Sequence, residues 1–268
     1  MNPLASKELV KKLKMTLQKN GINYNRLIAN FGQVSVAEKR AKGMEFSLKD
    51  HVKGVVLALL SNQRSWGQIA KNREKIDEIF YHYDPDKLEI MNPEELLKKV
   101  REIRCGNRSI RKQLRSLSSN IKKFREIASE FGSIDRFIIH KPAEEIAEML
   151  SKQESKYKIQ GLGFTLAMEY LRNVGIRGMK PDLHLLRICG AERLGIFPPS
   201  VSPKNAAIIF NEFSKKVGVN KVYLDNLFWI FGAKDYANIC SAKPKCYACE
   251  LRNHCKYPKN HRITDQKH

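Results

Sequence analysis

The sequence predicts an all-α protein of ten or more short helices, and two observations carry that expectation. Apolar residues recur at helical intervals along almost all of the 268 residues, whereas strict alternation over six or more residues is hard to find. Helix start signals agree: Asn92-Pro93-Glu94-Glu95 and Lys141-Pro142-Ala143-Glu144 both place proline and acid in a first helical turn. In chain order, Val52, Val55, Val56 and Leu59 form one stripe. Ile110, Leu114, Leu117, Ile121 and Phe124 form a second, interleaved with Arg111, Lys112, Arg115, Lys122 and Lys123. Phe164, Ala167, Met168 and Leu171 form a third, and Leu224, Leu227, Phe228 and Phe231 a fourth. All four read as core faces. Breaks at 175–181 (GIRGMKP) and 197–203 (FPPSVSP) read as loops, and the tail after Tyr257, PKNHRITDQKH, as polar and frayed. No repeat, low-complexity tract or long linker divides the chain.

Charge narrows the partner. The 49 Lys+Arg against 28 Asp+Glu leave a formal charge of +21, a field that attracts polyanions. Nucleic acid is the first class implied and an anionic membrane surface the second; the plainer reading is an excess that keeps the protein soluble. No run approaches the roughly 18 apolar residues of a membrane span, the longest being VVLALL at 55–60. MNPLASKELVKKLK has early charge and no apolar core of a secretory signal, so the expected location is intracellular, cytoplasmic or nucleoid-associated.

Four of the six cysteines crowd into CSAKPKCYACELRNHC: Cys240, Cys246, Cys249 and Cys255, separated by five, two and five residues. In a reducing compartment such crowding points to metal rather than disulfides. Four thiolates so spaced can each cap a different iron of one [4Fe–4S] cluster. Structural zinc, which favours two close pairs, is the alternative, and free thiols the plainest reading. His254 is a possible substitute ligand or an exposed loop residue. Cys105 and Cys189 read as buried small hydrophobes in helical settings. A bound metal would also present Lys243 and Lys245, in the first loop, toward a phosphate backbone.

The stretch Ile159-Gln160-Gly161-Leu162-Gly163 lets the backbone turn tightly and approach a ligand, and a helix starting at Phe164 would offer its first amides to an anion. A plain connection between helices uses the same residues. About twenty residues on, Pro181-Asp182-Leu183-His184-Leu185-Leu186-Arg187 puts Asp182 at the mouth of another helix, as an N-cap or a functional acid.

The Gly-x-Gly hairpin, the aspartate in its D-x-H-x-x-R setting and the C-terminal four-cysteine loop together resemble the helix-hairpin-helix DNA glycosylase superfamily, most closely its endonuclease III branch. Leu60-Ser61-Asn62-Gln63 looks like that branch's L-S-x-Q segment, and the resemblance spans roughly residues 44 to 257. It implies a two-domain helical fold: a six-helix barrel over 44–173 with the helix-hairpin-helix at about 150–173, and a terminal domain of 1–43 and 174–268 carrying the cluster loop 240–255. It further implies that Gly161, Leu162, Gly163 and Thr165 meet DNA phosphate, that Gln63 fills the gap left by an extruded base, and that Asp182 is the catalytic carboxylate. The four cysteines would ligate the [4Fe–4S] cluster. The implied partner of this expected monomer is double-stranded DNA with a damaged or mismatched base, whose extrusion exposes the glycosidic bond.

Three departures refine the reading. Where bifunctional members carry a lysine nucleophile, this chain has Thr165, whose hydroxyl forms no imine; Lys158 and Lys180 lie nearby but not at that place. Where adenine-excising members carry a glutamate, Val55-Val56-Leu57-Ala58 is apolar. The first cysteine gap is one residue shorter than the family's usual spacing. The expected activity is therefore monofunctional base excision through Asp182 and water, with AP lyase activity disfavoured. Its rivals are a catalytically inactive DNA- or abasic-site-binding member of the superfamily and a bifunctional enzyme with a displaced lysine.

Overall fold

The structure is a computed structural model that describes residues 3–64 and 66–261, and no strand occurs among them. The chain forms two compact units, one of 1–35 with 177–268 and one of 36–176. The first begins with α1 (Pro3–Lys19) and α2 (Tyr24–Phe31). Next come α3 (Gln33–Ala41), α4 (Leu48–Leu60), α5 (Trp66–Lys71), α6 (Arg73–Ile79), α7 (Pro85–Ile90), α8 (Pro93–Glu102), α9 (Ile110–Arg115), α10 (Leu117–Phe131), α11 (Ile134–Ile139), α12 (Ala143–Ser151) and α13 (Phe164–Asn173). The chain closes with α14 (Leu183–Cys189), α15 (Pro203–Val217), α16 (Lys221–Gly232) and α17 (Lys256–Asn260). No helix among the described residues is long and apolar enough to cross a membrane.

In the 36–176 unit α4 is central. A Ser47–Asp50 capping box starts it, and nine of its residues are buried, so it packs on α13, α11, α7 and α9 rather than showing one wet face. Its one deep polar residue, His51, is fully buried and satisfied at both ring nitrogens. Nδ1 lies 2.7 Å from the Tyr170 hydroxyl and Nε2 3.2 Å from Asp135. Arg40 donates to both oxygens of Asp135, at 2.5 and 3.1 Å, and to the Val174 carbonyl at 2.8 Å. Burial pushes the Asp135 carboxyl up, but hydrogen bonds from His51 and Arg40 and the Arg40 charge outweigh it and hold the group well below the usual carboxylate range. Burial holds His51 below its ordinary value, against the pull of Asp135. The network ties α3, α4, α11 and α13 into one scaffold.

The second stripe is divided: Ile110 and Leu114 belong to α9, Leu117, Ile121 and Phe124 to α10, with Ser116 between them, and all five are buried. Cys105 departs from the sequence reading. It lies in the turn after α8 rather than in a helix, buried, with its thiol directed at the Gln68 and Ile103 carbonyls.

In the other unit, α1 packs on α15, and α16 packs on α2, α14 and α15. Phe210 meets Phe213 and Phe228, each with ring centroids 5.9 Å apart. The expected frayed tail is corrected over 258–260, which continue α17. Pro258 is buried, the Lys256 amide donates to the Arg193 carbonyl at 2.9 Å, and the Arg193 guanidinium covers the Tyr257 ring. These contacts anchor a segment that composition alone marks as polar. Residues 262–268 of that tail lie outside the described residues.

Candidate active site

The helix-hairpin-helix is α12, the turn 152–163 and α13, with the two helices packed on each other. The chain's own hydrogen bonds shape the turn. The Ile159 amide donates to the Leu150 carbonyl at 3.1 Å. Asn120, buried in α10, clamps Gln160 from both sides: its Nδ2 donates to the Gln160 carbonyl at 2.9 Å and its Oδ1 accepts the Gln160 amide at 2.7 Å. The Lys158 ammonium donates to the Ser151 carbonyl at 2.7 Å and to the Leu162 carbonyl, and burial lowers its pKa. That lysine is occupied in bracing the turn.

The two glycines differ. Gly161 has φ +86°, and a Cβ there would stand 3.2 Å from Leu59 Cδ2 and 3.3 Å from Gln113 Cγ, so both conformation and space require glycine. Gly163 has an ordinary φ of −88°, and nothing lies within 4 Å of the Cβ it lacks. The fold itself makes no demand for glycine there. Gly163 caps α13 without a side-chain hydrogen bond. Thr165 is half-buried in that first turn, and Leu162 is buried as the anchor of the hairpin.

In the same unit Gln63 stands exposed in the turn after α4 with φ +51°. The turn is held by Arg64, which donates to the Arg104 carbonyl at 2.5 Å, and by Asn107, which donates to the Leu59 carbonyl at 2.9 Å and to Gln113 Oε1 at 3.1 Å. Val55 to Ala58, where a glutamate would sit in adenine-excising relatives, are all buried.

Asp182 lies in the other unit as the N-cap of α14. Its Oδ1 accepts the amides of His184 at 2.8 Å and Leu185 at 3.1 Å, and the cap leaves Oδ2 over. Two residues on, His184 Nδ1 faces Arg187 at 3.0 Å, and Arg187 Nε donates to the Cys240 carbonyl at 3.4 Å. The histidine and arginine of the D-x-H-x-x-R pattern thus join the aspartate's helix to the cysteine loop. Burial lowers the pKa of both side chains; the Arg187 charge adds to this at His184 against the opposing pull of Asp182, and the Arg193 charge adds to it at Arg187. Lys180, just before Asp182, is half-buried, and its amide donates to Asp225 Oδ2 at 2.7 Å.

Cys240, Cys246, Cys249 and Cys255 are unpaired thiols that line one small cavity with Arg193, and Cys246 and Cys255 are buried. Arg193, 4 % exposed, donates to Cys240 Sγ at 2.8 Å and to the Cys240 and Ser241 carbonyls at 3.1 and 2.8 Å. Burial raises all four thiol pKa values, that of Cys249 to about 12, although its hydrogen bond from Leu251 opposes the rise. Among the described residues no group of three or more His, Cys, Asp or Glu is arranged to hold a metal ion. His254 is exposed and stands outside the cavity lining. Lys243 and Lys245 are exposed on the first loop, and the Lys245 amide donates to the Ile239 carbonyl at 2.8 Å.

Sequence reasoning missed an aromatic cluster beside the aspartate's helix. Phe31, Trp229 and Tyr236 are each half-exposed, with centroids 5.7, 5.6 and 4.9 Å apart pairwise, and Trp229 lies 6.1 Å from the His184 ring. The available signal was the position of Trp229, which falls between Phe228 and Phe231 but off the buried face of α16.

The fold has counterparts among solved structures. The chain superposes on the 8-oxoguanine DNA glycosylase of Thermotoga maritima with a TM-score of 0.55 and 17% identity, covering 84% of this chain and 96% of that one. Endonuclease III in a non-covalent complex with DNA gives 0.53 and 17%, over 90% and 99%. The Methanocaldococcus jannaschii 8-oxoguanine glycosylase/lyase, in complex with a 15mer DNA containing 8-oxoguanine, gives 0.53 and 18%, over 83% and 96%. The fold is thus that of the helix-hairpin-helix DNA glycosylases. Residues 44–177, half of the chain, match the methyladenine glycosylase family, and the chain belongs to that family. No curated relative matches it.

Proposed function

We propose that this DNA glycosylase is monofunctional and releases an N-methylated purine by hydrolysis, with Asp182 as its catalytic carboxylate. The observation that carries the reading is the division of labour within Asp182: Oδ1 is fixed by two amides of α14, and Oδ2 remains for the substrate. A carboxylate so held stabilises the positive charge that develops on the sugar as the bond to the base breaks. Water then adds to the sugar carbon and gives up a proton, leaving an abasic site and the free base.

A purine methylated on N3 or N7 carries positive charge while still attached to the sugar, so it departs as a neutral base without being protonated. That chemistry suits a chain with buried Val55 to Ala58 in place of a general acid. It also suits the half-exposed Phe31, Trp229 and Tyr236, since electron-rich ring faces attract a cationic base. Gly161 to Gly163 and the first turn of α13 would hold backbone phosphate, and Gln63 would fill the stack. Lys158 and Lys180 are not assigned as nucleophiles, because the first is bound to hairpin carbonyls.

The four cysteines fit a [4Fe–4S] cluster as donors: four separate thiols surround one cavity, and a cubane offers each a different iron instead of requiring convergence on one ion. When bound, the cluster would fix loop 240–255 and with it Lys243 and Lys245. Arg193 would donate to the Cys240 sulfur and offset its negative charge.

On duplexes carrying methylated, oxidised, deaminated or mismatched bases, the protein should release the methylated purine and leave strands intact until alkali is added. Asp182→Asn should lower that rate by about 10²–10³-fold while binding to abasic DNA persists. A rate unchanged by Asp182→Asn, or a covalent complex trapped by borohydride on abasic DNA, defeats the proposal. Purified protein should be yellow-brown; a colourless preparation with stoichiometric zinc overturns the cluster.

A further inference from the structure

A second concave surface lies in the 1–35/177–268 unit, built from residues that the proposed reaction does not use. It is a groove of about 460 Å³ between α1 and the end of α15. Lys7, Lys11 and Lys14 form its rim at i, i+4 and i+7 on one face of α1, and Val10, Val217 and Val219 lie among its lining. No acidic residue contributes to the lining. Among the described residues none of the three lysines forms an ion pair, whereas Lys19, two turns past Lys11 on the same helix, pairs with Glu250 at 2.7 Å. Lys14 is further steered by the Tyr223 ring, 5.1 Å from its Nζ. One turn before Lys7, Leu4 is 79% exposed and extends the apolar contact area along that face.

Three unpaired cations above aliphatic side chains match a ligand with negative charge on one side and apolar groups on the other. A nucleic-acid backbone supplies the charge but gains little from valines, and its bases stack on open aromatic faces. Tyr24, the aromatic residue of the lining, is 7% exposed and offers no such face. We propose that the groove is a docking site for an acidic peptide segment of a partner protein, with carboxylates spaced to meet Lys7, Lys11 and Lys14 and an apolar side chain seated against the part-exposed Met15 and Val219 of the lining.

The test uses the full-length protein and a phage-displayed library of random 12-residue peptides, the most enriched peptide then being labelled for fluorescence anisotropy. Enriched peptides should combine Asp or Glu with Leu, Ile or Phe. Lys7→Glu/Lys11→Glu should weaken the labelled peptide at least tenfold, and replacing its apolar residues by Ser should do the same. Lys39→Glu/Lys42→Glu, an equal change in net charge at exposed sites of the other unit, should alter binding less than twofold. Val219→Ser, which adds no charge, should weaken the peptide while leaving circular dichroism unchanged. Equal losses from the two double variants, indifference to the peptide's apolar residues, or no acidic-apolar consensus would each overturn the proposal. So would a Lys7→Glu/Lys11→Glu variant that loses duplex or single-stranded DNA binding but keeps the peptide.

Discussion

The hairpin at 152–163 and the cysteine loop at 240–255 are both irregular, both join helices, and both carry basic residues, yet they are held in different ways. The hairpin is closed by the protein itself. Asn120 binds both backbone groups of Gln160, Lys158 spans two carbonyls, and Ile159 and Leu162 are buried beneath. The cysteine loop has two short 3₁₀ turns and four thiols around a cavity; Arg193 ties it at Cys240 and Ser241, and Lys19, Asn20 and Thr16 at the end of α1 tie it at Glu250 and Ala248. One loop is closed on its own backbone groups, and the other leaves a small cavity among four thiols.

The largest effect should come from removing two of the thiols around that cavity. Cys246→Ser/Cys249→Ser should expose 240–255 to proteolysis and rapid hydrogen exchange while 152–163 keeps wild-type protection; equal loosening of both segments would erase the contrast. Next is Asn120→Ala, which leaves the Gln160 amide and carbonyl without their partner and should destabilise the 36–176 unit by about 3 kcal/mol. Urea unfolding monitored by exchange within α12 and α13 measures this, and a loss below about 0.5 kcal/mol, within the scatter of neutral surface changes, would show that the clamp is not what closes the turn. Gly161→Ala should cost about 1–2 kcal/mol for its left-handed backbone, with Leu59 and Gln113 forced to shift. Smallest in stability is Gly163→Ala, expected to leave the melting temperature nearly unchanged because its Cβ meets nothing, while weakening duplex DNA several-fold. If Gly163→Ala bound DNA like wild type, the phosphate would have to be held elsewhere.

The sequence made the local devices legible and left the distant ones hidden. Proline and asparagine before α8, the glycine at +86° and the N-cap role of Asp182 obey rules that act within a few residues, and the four apolar stripes fall on helices with their faces largely buried. Asn120 is different, because inside the stripe of α10 nothing marks it as a clamp for a backbone segment forty residues later. Phe31 and Trp229 meet across almost two hundred residues, and no periodicity reports that. The polar tail misled for the same reason: Arg193 and Tyr257 supply contacts that composition cannot show. At the cysteines, spacing suggested a shared site, and the structure adds that the four thiols line one cavity with Arg193 on Cys240.

The unit of 1–35 and 177–268 has its two parts at opposite ends of the chain, and that order matters while the protein is being made. On the ribosome, α1 and α2 emerge first, but α15 and α16, which cover them, follow only after the whole of 36–176. At typical elongation rates the delay is on the order of ten seconds. During it Leu9, Leu13, Leu17 and Ile28 lack the partners that bury them in the finished fold. The 36–176 unit has no such wait and is free to fold as it leaves the tunnel. The four cysteines follow α16 in the chain, so they emerge only after the early helices have α15 and α16 to close against.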